Sequence, residues 1–160
     1  MALLSAIVHT LNDAARLGRA LESLRPCDEI LVVDHGSVDA TLRVAREYGA
    51  TVHVAVSDVS PTIHLGAARY DWLFCLLPCE ALTEDLEASL FEWKLDEAHR
   101  IDSIAACSIL IREETPAGWK TSRPSTRLVP KGWSEWEGFL PRHTANSMLL
   151  EGDLLRFRAP

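Results

Sequence analysis

The chain has 160 residues, of which 48% are hydrophobic and 24% charged, a balance typical of one globular domain with a substantial core. Its formal net charge of −7 argues against nucleic acid as a partner, because nucleic-acid-binding proteins present basic faces. No apolar run approaches the roughly 20 residues of a transmembrane segment, and the start of the chain lacks the features of a signal peptide, so we expect a cytoplasmic protein.

The first two-thirds of the sequence alternates between strand and helix patterns. Residues 5–8 and 29–34 are β-branched runs without polar alternation, which is typical of strands covered on both faces. Asn12 is a candidate N-cap for the helix between them, and Pro26 ends it. Apolar residues recur in that helix at the amphipathic spacing i, i+3, i+4, i+7: Leu17, Ala20, Leu21 and Leu24.

The alternation continues along the chain. A second helix is predicted over about residues 39–48, with Gly49 in a left-handed conformation directly after it. Thr83 is expected to cap a later helix that runs to about residue 99. The remaining predicted strands are residues 51–56, 72–77, 103–111 and 127–129, and a hairpin is expected to turn at residues 151–153. This order predicts a single α/β domain with a mainly parallel central sheet.

Parallel sheets bind ligands at the carboxyl ends of their strands. Asp34 follows a strand and can accept a charge-assisted hydrogen bond from a ligand N–H, while Gly36 lets the backbone approach that ligand closely. A simpler interpretation is open, because Asn12, Ser37 and Asp39 are equally suited to capping helices. Three polar segments follow strands in this way: residues 9–13, 34–39 and 77–80.

The segment SAIVHTLNDAARLGRALESLRPCDEILVVDHGSVDATLRVAREYGATV resembles the amino-terminal part of family-2 glycosyltransferases. That family carries Pro-Thr-x-Asn-Glu after the first strand and Val-Asp-x-Gly-Ser-x-Asp-x-Thr after the second. His9 stands at the place of the usual proline, and Asp13 at the place of the usual glutamate. The resemblance covers residues 4–95, with a weaker similarity at 126–132. Matching positions are occupied by Thr10, Asn12, Asp34, Gly36, Ser37, Asp39 and Thr41.

The resemblance implies a GT-A fold, which is a Rossmann-like arrangement of three layers. It also implies a nucleotide-sugar donor, often based on uridine. The carboxylate of Asp34 would then bind the uracil, and the nucleoside would be lined by Thr10, Asn12, Asp13 and Gly36. On this basis residues 1–100 are the expected nucleotide-binding half, and residues 101–160 a shortened acceptor-side half.

The resemblance fails at the metal motif of the family. Its Asp-x-Asp pair, which holds Mg²⁺ or Mn²⁺ against the sugar diphosphate, falls on Leu77 and Cys79. Such hard cations require oxygen ligands, which a leucine lacks and a thiol does not replace. Pro78 stiffens the same loop, and Glu80 alone cannot rebuild the site. A divalent metal is usual in the family, but this sequence lacks the carboxylates that would bind it.

Residues for catalysis are less clearly marked. An inverting transfer requires a general base, for which Glu80 and Glu114 are the candidates, together with the neighbouring Glu113. The alternative for the last two is a solvated loop. Residues 112–160 carry 8 basic against 6 acidic side chains, and they form either a solvated face or an edge that faces a diphosphate.

Two functions follow from these observations. The first is a family-2-like glycosyltransferase that uses a UDP-type donor and does not rely on ordinary metal-dependent catalysis. The second is a catalytically inactive domain that keeps nucleotide binding or serves as a module for a protein partner. A third, purely structural interpretation keeps the fold without a ligand.

Overall fold

Strands and helices alternate in the computed structural model, which describes residues 1–56, 61–96 and 106–160. The first part contains β1 (Leu4–Thr10), α1 (Ala14–Glu22), β2 (Glu29–Asp34), α2 (Thr41–Glu47), β3 (Thr51–Val54), a 3₁₀ helix (Pro61–Ala67), β4 (Trp72–Cys75), β5 (Glu80–Leu82) and α3 (Glu84–Leu95). The second part contains β6 (Cys107–Thr115), β7 (Gly118–Thr121), β8 (Ser125–Pro130), β9 (Trp136–Glu137), β10 (Leu140–Pro141) and β11 (Met148–Arg156).

A nine-stranded sheet joins the two parts of the described chain. Its order is β3-β2-β1-β4-β8-β6-β11-β5, with β7 paired to β6. The first four strands in this order are parallel, and β11 is parallel to β6. The pairings of β8 with its two neighbours and of β11 with β5 are antiparallel. The predicted α/β fold is therefore confirmed, with its parallel strands concentrated in the amino-terminal part.

The sheet lies between two apolar clusters, which is why β1 is buried along its whole length. Leu4, Ala6 and Val8 face the cluster that α1 and α3 cover. Ile7 faces the opposite cluster, which the 3₁₀ helix and Trp136 help to cover. The alternation follows from the two-residue period of a strand, and it gives three layers.

Several local predictions agree with the structure. Strand β2 occupies the predicted residues Glu29–Asp34. Gly49 has a φ of 77°, the left-handed conformation expected after α2. Thr83 caps α3, because its side chain accepts a hydrogen bond from the Leu86 N–H.

Two local predictions are wrong. Asp13, not Asn12, stands at the N-cap of α1, and Asn12 instead has a φ of 53° and accepts a hydrogen bond from the Val38 N–H. The hairpin expected at residues 151–153 is a continuous strand, β11, with a register shift between Leu149 and Asp153. Gly152 produces this irregularity with a φ of 93°. The predicted end of α3 near residue 99 and the strand start at 103 lie outside the described residues.

No helix in the described part of the chain combines the length and the apolar character that crossing a membrane requires.

Candidate functional site

The carboxyl ends of β1 and β2 lie side by side, which brings the predicted nucleotide-binding residues together. Thr10 and Asp34 are register partners in the parallel pairing of the two strands. Both side chains are buried, as is that of Asp13. The loops that follow carry Asn12 and Gly36, so these five residues surround one edge of the sheet.

Hydrogen bonds fix the two loops to each other. The Asn12 N–H donates to the Ser37 hydroxyl at 2.9 Å, and the Asn12 side-chain oxygen accepts from the Val38 N–H at 2.8 Å. The Asp13 N–H donates to the Thr41 hydroxyl at 2.9 Å. Asn12 and Ser37, which the sequence offered as helix caps, therefore bridge the two loops, and neither α1 nor α2 has a side-chain cap hydrogen bond.

The carboxylate of Asp34 is held by its own loop. It accepts hydrogen bonds from the Gly36 N–H at 3.2 Å, the Ser37 N–H at 3.0 Å and the Ser37 hydroxyl. A carboxylate has about four acceptor positions, so one position has no partner among the described residues. Gly36 has a φ of 101°, and no atom of the described residues lies within 4 Å of where a Cβ would be. The turn therefore requires glycine for its backbone, and space remains above it.

An aromatic cluster lies beside this edge, and the sequence did not predict it. The His9 Nδ1 and His35 Nε2 atoms are 2.8 Å apart, and the Phe139 ring stacks on His9 with the centroids 4.2 Å apart. Burial, with the charges of His35 and His64, lowers the pKa of His9 to about 4. His9 is therefore neutral near pH 7. The replacement of the usual proline by His9 was the one signal of this cluster in the sequence.

The end of β4 differs from this edge, because the carboxylate that follows it, Glu80, is buried and bound by arginines. The guanidinium of Arg127 binds Glu80 through two hydrogen bonds of 2.7 and 2.8 Å, and both side chains are fully buried. Arg156 donates to the same carboxylate from Nη2 at 3.0 Å and to Glu113 from Nη1 at 2.7 Å. The Leu77 N–H adds a further hydrogen bond to Glu80 at 2.9 Å.

These contacts leave Glu80 no free acceptor position within the described structure. Burial raises the pKa of Glu80, but the charges and hydrogen bonds of Arg127, then the Leu77 N–H and Arg156, outweigh it and lower the pKa below its usual value. The catalytic role predicted for Glu80 has no support in this geometry. Glu114 is exposed on β6, where its carboxylate accepts from the Arg158 N–H at 3.1 Å. Its predicted role as a base stays a prediction.

The residues at the end of β4 do not fit a divalent metal. Leu77 offers no ligand atom, and the carboxylate of Glu80 is bound to arginines. Burial, together with the charge of Glu80, raises the pKa of the Cys79 thiol, which therefore stays protonated near pH 7. Across residues 1–56, 61–96 and 106–160, no group of three or more His, Cys, Asp or Glu side chains is placed to hold a metal ion.

The amino-terminal region of the chain matches a known protein family. Residues 5–59, from β1 through β3, match the family model described as glycosyl transferase family 2. This amino-terminal region is therefore that of a family-2 glycosyltransferase. The matched residues include both loops at the ends of β1 and β2, where the predicted nucleotide-binding side chains lie.

Curated relatives extend the similarity along this glycosyltransferase-like chain. An uncharacterized glycosyltransferase of Rickettsia bellii is 33% identical over 162 residues, covering 94% of this chain and 54% of that protein. Another, from Rickettsia felis, is 26% identical over 165 residues, covering 94% and 56%. The lipopolysaccharide core biosynthesis glycosyltransferase LpsC of Rhizobium meliloti is 47% identical over 45 residues, which are 28% of this chain and 17% of LpsC. The chain thus spans about half the length of the Rickettsia relatives.

Solved structures support the GT-A fold. A mycobacterial protein superposes with a TM-score of 0.56 at 19% identity, covering 71% of this chain and 42% of that one. Glucosyl-3-phosphoglycerate synthase from Mycobacterium tuberculosis, in complex with Mn²⁺, UDP-glucose and phosphoglyceric acid, superposes with a TM-score of 0.53 at 21% identity. That match covers 69% of this chain and 44% of the synthase. At these identities the likeness concerns the fold.

Proposed function

We propose that this chain binds a UDP-type nucleotide sugar at the carboxyl ends of β1 and β2 and takes part in glycosyl transfer to an acceptor. One observation carries the proposal: Asp34 lies in register with Thr10 at a single sheet edge, inside the segment that matches the family model. The remaining acceptor position of the Asp34 carboxylate suits the imide N–H of uracil.

The neighbouring side chains have separate parts in this proposal. Thr10, Asn12 and Asp13 form the wall of the nucleoside pocket, and Gly36 gives the base close access to the backbone. The synthase of similar fold was solved with UDP-glucose and Mn²⁺, which supports a nucleotide sugar as the ligand class. The metal is not carried over, because the residues at 77, 79 and 80 do not fit it.

Residues 1–100 are proposed as the nucleotide-binding half and residues 101–160 as the acceptor-side half. Ion pairs connect the two proposed halves, because Arg127 and Arg156 of the second half bind Glu80 of the first. We therefore expect the halves to unfold together. The acceptor-side half would also carry Glu114, the proposed general base.

A second candidate function is a nucleotide-binding module that performs no transfer and acts with a protein partner. The ion pairs of Glu80 with two arginines favour this second function, because the Glu80 carboxylate at the end of β4 is then not available as a catalytic base. Incubation with UDP-sugars and candidate acceptors separates the two functions. Release of UDP that depends on acceptor supports transfer, and binding without release supports the module.

Titration of the purified chain with UDP, followed by tryptophan fluorescence, tests the shared part of both functions. We expect saturable binding that weakens about 10- to 100-fold in Asp34→Asn, because one charge-assisted hydrogen bond is lost. Glu47→Gln is the matched control, since this exposed carboxylate lies at the end of α2 and pairs only loosely with Arg43 at 3.7 Å. Unchanged affinity in a folded Asp34→Asn variant would contradict the proposed site.

A further inference from the structure

Three arginines gather around the position where the family carries its second metal-binding aspartate. Arg16 and Arg19 are three residues apart on α1 and therefore project from the same face of that helix. The Phe157 N–H donates to the Cys79 carbonyl at 2.8 Å, which places the end of β11 against this loop. Arg156, the last residue of β11, reaches the adjacent Glu80.

Arg19 has an unusual environment for a positively charged side chain. Its guanidinium carbon lies 3.5 Å from the centroid of the Phe157 ring, a close cation–π contact. Its Nε and Nη2 atoms are buried and have no hydrogen-bond partner among the described residues. Burying a donor without a partner costs free energy, so such donors are rare in folded proteins. An anionic ligand would satisfy these two atoms of Arg19.

The other two arginines lie close to the same loop. Arg16 is paired with Asp13 at 2.6 Å, and about a third of its side chain is exposed, as is that of Arg156. The positive charges of Arg16 and Arg156 both counteract the rise in the pKa of the Cys79 thiol, which agrees with their proximity to this loop. Arg16 thus connects the nucleoside loop, through Asp13, to the loop at the end of β4.

The local balance of charge also favours an anion. The four arginines around this loop, Arg16, Arg19, Arg127 and Arg156, face three carboxylates, Asp13, Glu80 and Glu113. The excess of one positive charge belongs to Arg19, whose Nε and Nη2 edge has no partner in the described part of the chain. A guanidinium edge of this kind matches the paired oxygens of a phosphate group.

We propose that Arg19, supported by Arg16 and Arg156, binds the diphosphate of the nucleotide and occupies the place that a divalent metal holds in relatives with Asp-x-Asp. This inference rests on the proposed nucleotide site, and it adds the phosphate-binding residues to that site. In this proposal the buried Nε and Nη2 atoms of Arg19 are the donors to the phosphate oxygens. No divalent ion is required for this contact.

Calorimetric titration with UDP and with uridine, both in EDTA, tests the inference. The intact chain is expected to bind UDP at least about tenfold more tightly than uridine, because the guanidinium edge contributes charge-assisted hydrogen bonds. In Arg19→Gln we expect this advantage to fall to about threefold or less, with the affinity for uridine unchanged. Arg19→Lys keeps the charge without the planar edge, so it should keep part of the advantage.

Arg25→Gln is the matched control, since Arg25 is more than half exposed beyond the end of α1 and pairs with Glu87 at 3.5 Å. It should leave both affinities unchanged. Equal affinity for UDP and uridine in the intact chain overturns the arginine site and leaves the nucleoside site standing. A preserved advantage in folded Arg19→Gln and Arg19→Lys also overturns it. Binding of neither ligand overturns the proposed function as well.

Discussion

The two loop regions at the carboxyl edge of the sheet differ in the groups that bind their buried carboxylates. At the ends of β1 and β2, the carboxylate of Asp34 is held mainly by backbone N–H groups and a hydroxyl of its own loop. At the end of β4, the carboxylate of Glu80 is held by two arginines from distant parts of the chain. As far as the described residues show, the first arrangement leaves one acceptor position without a partner, and the second occupies all of them.

The difference shows that a segment without the carboxylates of the Asp-x-Asp motif can still use an adjacent acid, Glu80, in structural ion pairs. Leu77 and Cys79 offer no carboxylate oxygen to a metal, while Glu80 is bound by Arg127 and Arg156 from later strands of the sheet. The two regions therefore hold their carboxylates by separate sets of contacts. The following substitutions test this contrast, from the largest expected effect to the smallest.

Glu80→Ala should destabilise the chain by about 3–5 kcal/mol, because it leaves the fully buried Arg127 without its counter-charge. The free energy of unfolding from urea titration measures this loss. Glu135→Gln is the control, since Glu135 is exposed and lies 3.7 Å from Arg142, and it should cost less than about 1 kcal/mol. A loss below 1 kcal/mol in Glu80→Ala would show that the buried network is not a structural element.

Gly152→Ala should cost about 3 kcal/mol by disturbing the strand that carries Arg156. A Cβ at this position would lie 2.3 Å from the Leu86 backbone nitrogen, and the φ of 93° is unfavourable for alanine. Gly118→Ala has the same backbone problem, with a φ of 114°, but no described atom lies within 4 Å of its Cβ position. It should cost only about 1 kcal/mol. Equal losses of stability in the two variants would refute the packing explanation.

Acid should destabilise the aromatic cluster beside the loops at the ends of β1 and β2. The pKa of His9 is about 4 in the folded chain and about 6.5 when unfolded, so between these values the unfolded chain binds more protons. Its contribution to stability is present above pH 6.5 and is lost as the pH falls towards 4. The stability difference between the intact chain and His9→Asn should shrink by about 2 kcal/mol from pH 7 to pH 5. A difference that is independent of pH would contradict the buried neutral His9.

Asn12→Ala should have the smallest effect, about 1 kcal/mol, because it removes one exposed hydrogen bond between the loops, at a left-handed position. Asn12→Gly loses the same bond without the backbone penalty and should cost less. Thermal unfolding of the two variants gives the comparison. If Asn12→Gly is the less stable of the two, the backbone of this loop does not adopt the left-handed conformation.

The amino-terminal part was predictable because its signals are local. The bounds of β2, the cap at Thr83 and the turn at Gly49 each depend on residues adjacent in sequence. The proximity of Thr10 and Asp34 followed from the rule that parallel strands end at one edge of a sheet. The resemblance to the family supplied the identity of the ligand class, which the local pattern alone did not.

The second part was less predictable because long-range contacts determine it. Arg127 lies 47 residues and Arg156 76 residues from Glu80, and no spacing in the sequence indicates that the three meet. The contact of Phe139 with His9 has the same origin. Strand β11 was mistaken for a hairpin because glycine is typical of turns, whereas here it allows the backbone of β11 to approach α3.

The affinity for UDP measured by calorimetry, first in EDTA and then in excess Mn²⁺, tests the central claim most directly. The claim is that arginines serve the diphosphate where relatives with Asp-x-Asp use a metal. We predict saturable binding in EDTA and a change of less than about threefold when Mn²⁺ is added. Binding that occurs only in the presence of Mn²⁺ would contradict the claim.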